Sequence, residues 1–295
     1  MKVFITGGSG LLGQYLNMRL SQSHEILTVY NNNIGNCDRF NSVKLDIGNT
    51  KKLKEVFVSF LPDVVIHIGA YSRPEICDNL SREEVFRINV GATADISVLC
   101  EKHKCFLIFS STDLVYDGNR GSMLKEDAEI FPLSLYAESK FEAEKVIKAN
   151  LRDFVILRTS LLYGIGLSDS VNNFHKMYDN FKAGKTSRLF CDQFRTPLSL
   201  IDAAELIAQI LTKDMRGEII NFGGRERVSR VELGEILCDV AGFDKSLIEK
   251  ISMGDVPGLL KVPDVSLNTD KLRSYGIEQK SIEESIFEIL RNING

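Results

Sequence analysis

The opening segment MKVFITGGSGLLGQYL constrains the fold more than any other part of the chain. An apolar run from Lys2 to Ile5 has the length and residue types of a buried strand, and it passes directly into TGGSGLLG and then into a helical pattern opening near Leu11. Gly7, Gly10 and Gly13 have the GxxGxxG spacing. Glycine at the first position permits a tight turn, at the second it lets backbone approach a pyrophosphate, and at the third it lets helix pack closely on strand. The unpaired N–H groups of the helix's first turn present a partial positive charge to phosphates, and the Ser9 hydroxyl adds a donor. Strand, turn and helix in this order predict a dinucleotide site.

The rest of the chain repeats the rhythm. Strands are expected at Glu25 to Tyr30, Val43 to Leu45, Asp63 to Ile68, Cys105 to Ser110 and Phe154 to Arg158, with helices at Leu11 to Gln22, Lys51 to Phe60, Arg82 to Glu101 and Ser134 to Asn150. That alternation predicts an α/β fold with a doubly wound parallel sheet. Continuous apolar runs such as VVIHI suit strands covered on both faces, which makes His67 a satisfied core histidine. Ligands of such sheets gather at the carboxyl ends of strands, so functional candidates follow Ile5, Tyr30, Leu45, Ile68, Phe109 and Arg158.

Beyond Tyr163 the rhythm weakens. Helical stretches are expected near Val171 to Lys182, Ile201 to Leu211, Val231 to Ala241 and Ile282 to Leu290, with a loop CDQFRTPLS and a strand at Glu218 to Asn221. The expected organisation is a dinucleotide-binding domain over 1–165, a returning segment near 199–222, and a smaller substrate-binding lobe over 166–295 that closes over the ligand edge of the sheet.

Composition narrows the function. With 295 residues and 44% hydrophobic content the chain can bury a large core. A net charge of −4 and the absence of basic runs argue against nucleic acid and anionic membranes as partners. Cys37, Cys77, Cys100, Cys105, Cys191 and Cys238 form no CxxC pair and the four histidines have no zinc-like spacing, so no metal site is expected. The cysteines read as buried thiols of a cytoplasmic protein. No stretch approaches the ~20 apolar residues of a membrane span, and the polar, glycine-rich sequence after Ile5 is unlike a signal peptide.

Chemistry enters with Tyr136 and Lys140 in PLSLYAESKFEAEKVI. At i and i+4 they share one helical face, offset by about 40°. Lowering a phenol from roughly 10 to near 7 requires about 4 kcal/mol, and one positive charge ~5 Å away at an effective dielectric of ~20 supplies about 3. The expectation is therefore a tyrosine tuned downward by lysine.

TGGSGLLG, the run FSSTDLVYDG and YAESK, 24 positions after Thr112, together resemble the extended short-chain dehydrogenase/reductases, and within them the dTDP-4-dehydrorhamnose reductase-like group. Where that group has patterns similar to STDYVFDG, YGxSK, RTSxxYG and DQFGxPT, this chain reads STDLVYDG, YAESK, RTSLLYG and DQFRTPL. The resemblance implies a Rossmann fold in which Thr112 bonds a substrate carbonyl, Tyr136 exchanges its proton with that oxygen, and Lys140 holds the nicotinamide ribose while tuning Tyr136. Ser111 is a second hydroxyl candidate. The resemblance further implies that Gly7, Ser9, Gly10, Leu11 and Leu12 line the pyrophosphate turn with Gly13 behind it, that Asp46 and Ile47 contact adenine, and that Gly69, Ala70 and Tyr71 border the ribose. Asn89 is either structural or a water-mediated contact.

After the second strand the chain reads TVYNNN, without the acid that binds the 2′-hydroxyl in NAD enzymes, which favours NADP while leaving NAD possible. Leu114 stands where the group has a tyrosine facing the sugar, and Tyr15 where some members carry a glutamate at a dimer-bridging magnesium site. Arg195 replaces the glycine of DQFGxPT and is either a partner for substrate diphosphate or a solvated surface residue; Arg73 either touches substrate phosphate or caps the following helix. The implied activity is NAD(P)H-dependent reduction of a nucleotide-linked 4-keto-sugar, with homodimerisation through helices flanking the sheet. A sugar-nucleotide 4-epimerase and a non-catalytic NADP-binding regulatory subunit, similar to that of methionine adenosyltransferase, are the alternatives.

Overall fold

A computed structural model describes residues 1–168 and 170–294. Seven strands form one parallel sheet: β1 (Lys2–Thr6), β2 (Glu25–Tyr30), β3 (Ser42–Lys44), β4 (Val64–His67), β5 (Phe106–Thr112), β6 (Phe154–Thr159) and β7 (Glu218–Phe222). Their order is β7-β6-β5-β4-β1-β2-β3. The order reverses between β1 and β4, where Ile5 pairs with Ile66 and Thr6 with His67, and there the carboxyl ends of the strands part to leave a crevice. The fold is the doubly wound Rossmann arrangement that the alternation of elements predicts.

Side-chain alternation explains the apolar runs. Along β1, Val3 and Ile5 enter the core on one face and Phe4 the core on the other. The first face is covered by α1 (Leu11–Leu20) and by the helix Leu200–Ile210; the second by α2 (Thr50–Phe60), α3 (Ala92–His103) and α4 (Leu135–Asn150). With helices on both sides, these strands have no solvent face on which to place polar residues.

The expected helix from Arg82 to Glu101 is instead three pieces: a short helix Arg82–Phe86, a π-turn Arg87–Gly91, and α3. From the first turn of α3 the Thr93 hydroxyl donates back to the Asn89 carbonyl at 2.7 Å, and the widened backbone of the π-turn carries Asn89 with its side chain buried. The segment expected as a loop, CDQFRTPLS, contains two short strands. Phe194–Arg195 pairs antiparallel with Val228–Ser229, and Leu198–Ser199 pairs parallel with Leu162–Tyr163. A further parallel pair joins Ser187–Phe190 to Ile248–Ile251. Around these ribbons a separate core gathers Tyr163, Phe174, Met177, Phe181, Leu237 and Ile286. Five cysteines are buried as expected, whereas Cys191, beside the ribbon at the lobe surface, is exposed. No described helix is long and apolar enough to cross a membrane.

Candidate active site

The glycine turn closes on itself and on β4. Gly7 has φ +72°, a left-handed conformation, and a Cβ there would stand 2.8 Å from the Gly69 backbone. A Cβ on Gly13 would come 2.2 Å from the Gly7 carbonyl oxygen, so the third glycine brings α1 against the turn. Gly10 caps α1 without a side-chain bond, and no acidic residue occupies the helix's first turn. This end of α1 is therefore open to an anion. Leu12 departs from expectation, since its side chain is buried in the core rather than turned to the crevice, and Leu11 packs half-buried against the same core. Only their amides belong to the opening of the helix. Gln14, missed by the motif reading, donates from Nε2 to the Ser9 and Leu167 carbonyls at 3.1 Å each, and the Tyr15 hydroxyl donates to the Ile165 carbonyl at 2.7 Å. A loop from the second half of the chain is thereby strapped to the first helix.

Above the turn lies a cleft of about 320 Å³ lined by Gly7, Ser9, Gly10, Asn31, Asn32, Asn33, Asp46, Ile47, Gly69, Ala70, Tyr71 and Arg87. The structure thus brings eight of the eleven predicted cofactor residues outside α4 to one cavity, the exceptions being Leu11, Leu12 and Gly13. Asp46 accepts from the Gly48 amide at 2.9 Å and faces Arg87 at 3.5 Å. Arg87 in turn makes two 2.9 Å bonds to Glu84.

A buried polar line runs beneath the cleft. The Gly69 amide donates to Thr6 Oγ1 (3.1 Å), Thr6 meets His67 Nδ1 (2.6 Å), His67 Nε2 meets Thr93 (3.0 Å), and Asn89 Nδ2 donates to Ser139 (2.9 Å). Asn89 also accepts from the Tyr71 amide at 2.8 Å, and Ser139 donates to the Tyr136 carbonyl at 2.7 Å. His67 is thus a satisfied core histidine, with burial pushing its pKa down to about 3 and nearby Lys140 adding to the shift.

Thr112, Tyr136 and Lys140 are all buried. Ser134 caps α4 by accepting from the Ala137 amide, which sets Tyr136 in the first turn and Lys140 one turn on. The Tyr136 phenol is pushed above its ordinary range, chiefly by burial; the Thr112 hydroxyl lowers it, and Asp113 and Cys77 raise it. The expected downward tuning by Lys140 is absent from this balance. The lysine ammonium lies 4.1 Å over the Phe109 ring, and burial pushes it down to about 7, with Glu144 opposing the shift. An i, i+4 relation fixes the face two side chains share, not where their long ends go. Tyr136 packs with Cys77, Leu114 and Tyr71, and Tyr71 also lines the cleft.

Two further predictions are corrected. Ser111 points away from Thr112, as neighbours on a strand must, and its hydroxyl donates to Glu144 at 2.6 Å in a wholly buried cluster. There Glu144 accepts from Arg158 at 2.9 and 3.1 Å, and Arg158 donates to the Tyr116 hydroxyl and the Glu126 carbonyl, each at 2.8 Å. Arg195 is neither solvated nor free: at 5% exposure it donates to the carbonyls of Phe194 (2.6 Å) and Val262 (3.2 Å), with Nε 3.7 Å from Asp113. Arg73 is exposed and stands at the start of the short helix Pro74–Cys77 without a side-chain capping bond. Arg230, which no motif singled out, approaches the same Asp113.

The chain is similar to known proteins over most of its length. It is 29% identical to the probable low-salt glycan biosynthesis reductase Agl14 of Haloferax volcanii over 87% of this chain and 85% of that protein. It is 25% identical to the methionine adenosyltransferase 2 subunit beta of Rattus norvegicus over 98% and 88% of the two chains. Among solved structures, dTDP-4-dehydrorhamnose reductase from Bacillus anthracis in complex with NADP superposes with a TM-score of 0.85 and 22% identity over 99% of both chains. The RmlD substrate binding domain matches residues 1–294, and with the parallel sheet and its glycine turn this establishes that the protein belongs to that family, within the extended short-chain dehydrogenase/reductases.

Proposed function

We propose that the protein is an NAD(P)H-dependent reductase of a nucleotide-linked 4-keto-sugar, of the dTDP-4-dehydrorhamnose reductase kind. The observation that carries this reading is the Thr112–Tyr136 hydroxyl pair, joined through Tyr71 to the cleft above the glycine turn. A phenol held protonated by burial suits an acid that gives up its proton only when an alkoxide forms beside it.

The cradle fits a dinucleotide. The left-handed Gly7, the capless start of α1 and the lining amides offer donors and no negative charge where a pyrophosphate would rest. Asn31, Asn32 and Asn33 replace the usual acid beyond β2, and Arg87 sits across the cleft, which supports NADP over NAD. The Bacillus anthracis relative binds NADP. When bound, the reduced cofactor supplies a hydride to the carbonyl carbon. Tyr136 Oη then transfers its proton to the carbonyl oxygen, Thr112 holds that oxygen by a hydrogen bond, and Lys140 positions the nicotinamide ribose. The product is the 4-hydroxy sugar. The segment 166–295 supplies the substrate lobe of this scheme and 1–165 the cofactor half.

The test is NADPH oxidation with enzymatically generated dTDP-4-dehydro-L-rhamnose, beside NADH and a Tyr136→Phe variant. Turnover that the variant lacks while still binding NADPH supports the reading; turnover unchanged by the variant refutes the proton donor. Similarity to the methionine adenosyltransferase beta subunit over 98% of this chain favours a second reading, a nucleotide-binding regulatory subunit. NADPH binding without turnover on any keto-sugar nucleotide would select it.

A further inference from the structure

Asp113, next to Thr112, is a buried carboxylate with more positive charge around it than it can balance. It accepts from the Ser160 hydroxyl at 3.1 Å and faces Arg195 Nε at 3.7 Å. Arg230 is brought to the same place by the ribbon in which Val228 pairs with Arg195 and Ser229 with Phe194, and it feels both Arg195 and Asp113. Among the described residues the other carboxylate acting on Arg195 is Asp264, and that one is bound by Arg227 at 2.7 Å. Two guanidinium groups thus share one acid.

The two arginines are differently committed. Arg195 spends its terminal nitrogens on the carbonyls of Phe194, Val262 and Pro263. Arg230 is half-buried and bonded through Nε to Gln193 at 2.8 Å; among the described residues its terminal nitrogens have no hydrogen-bond partner and it makes no ion pair. Burial pushes its pKa down to about 9, with repulsion from Arg195 adding to the shift and Asp113 opposing it. A guanidinium with its fork unused matches phosphate oxygens.

We propose that Arg230, backed by the fixed charge of Arg195, grips the diphosphate of the substrate. The inference rests on the sugar-nucleotide reading above. In such a substrate the keto carbon and the phosphate-bearing carbon belong to one sugar ring, so the anion must fall within a few ångströms of Thr112 and Tyr136, which is where Asp113 and its arginines lie. It also moves the diphosphate contact from Arg195, whose donors are occupied, to a residue that no family pattern marks.

Titration calorimetry of the NADPH-loaded protein with dTDP, UDP and thymidine tests this. We expect Arg230→Gln to weaken both diphosphates at least tenfold while NADPH affinity stays within twofold, Arg230→Lys to recover part of the loss, and the nucleoside to bind weakly and equally to all three proteins. Arg230→Gln should melt no lower than the unaltered protein, because it removes a like-charge repulsion; this separates loss of a ligand contact from loss of structure. Diphosphates bound equally well by Arg230→Gln, or bound by neither protein, would overturn the inference. Keto-sugar turnover insensitive to Arg230 would overturn it and leave the reductase reading standing. Arg230-dependent diphosphate binding with no turnover would retain it and remove the reductase.

Discussion

Tyr136 and Lys140, one helical turn apart, are driven in opposite directions by the same burial: the phenol rises above its ordinary range and the ammonium falls to about 7. Each is pushed toward its neutral form. At neutral pH the phenol therefore keeps its proton, which is the state that the proposed reduction of a carbonyl would consume.

Lys140 weakens the fold below its own shifted pKa. The unfolded chain holds the lysine proton up to the ordinary 10.5, the folded one only to about 7, so the unfolded state binds more protons between those values and stability rises with pH across that window. Lys140→Met should raise the urea midpoint at pH 7 and flatten its climb toward pH 10, while abolishing turnover. A parent protein whose midpoint does not change over this range would contradict the argument.

Gly13→Ala should be costly for a reason other than helix propensity. The added methyl would stand 2.2 Å from the Gly7 carbonyl oxygen and 2.7 Å from the Gly8 Cα, both backbone atoms. Overpacking of this kind costs about 1–3 kcal/mol, and because the displaced atoms form the glycine turn proposed to hold the cofactor, NADPH affinity should fall at least tenfold with the stability. Fluorescence titration and thermal melting check both.

The Glu144–Arg158 pair is 0% and 2% exposed. Arg158→Met alone leaves a buried carboxylate unpaired and should cost about 3–5 kcal/mol, whereas adding Glu144→Leu should restore a large part of it. Denaturant unfolding of the two single variants and the double variant measures the difference; a double variant no better than the singles would show that packing, not charge, dominates.

Asn31→Asp restores an acid beyond β2, at the lip of the cleft. A carboxylate there repels a 2′-phosphate and accepts from a 2′-hydroxyl, so the ratio of kcat/KM for NADPH over NADH should fall at least tenfold. An unchanged ratio would place the 2′ group elsewhere.

The sheet, its order reversal and the glycine turn were legible because backbone needs dictate residue type there: strands buried on both faces demand continuous apolar runs, and Gly7 and Gly13 sit where a Cβ would collide. What remained hidden depends on where long side chains end. Arg195 and Arg230 are 35 positions apart in the sequence, and only the two-residue ribbon between Phe194–Arg195 and Val228–Ser229 brings them to one carboxylate. A run of hydroxyl residues conceals which of Ser111 and Thr112 turns toward Tyr136 until the strand's alternation is set. The π-turn was invisible because Asn89 and Thr93, at i and i+4, fit an unbroken helix equally well.

The polar line from Gly69 through Thr6, His67, Thr93, Asn89 and Ser139 to the Tyr136 backbone draws every member from the first 140 residues. On the proposed reading, the tyrosine that donates the proton is thus tied to the glycine turn by a line built from the first half of the chain. If that reading holds, side chains of the second half can change with the sugar or base while this line stays intact, because no member of it comes from them.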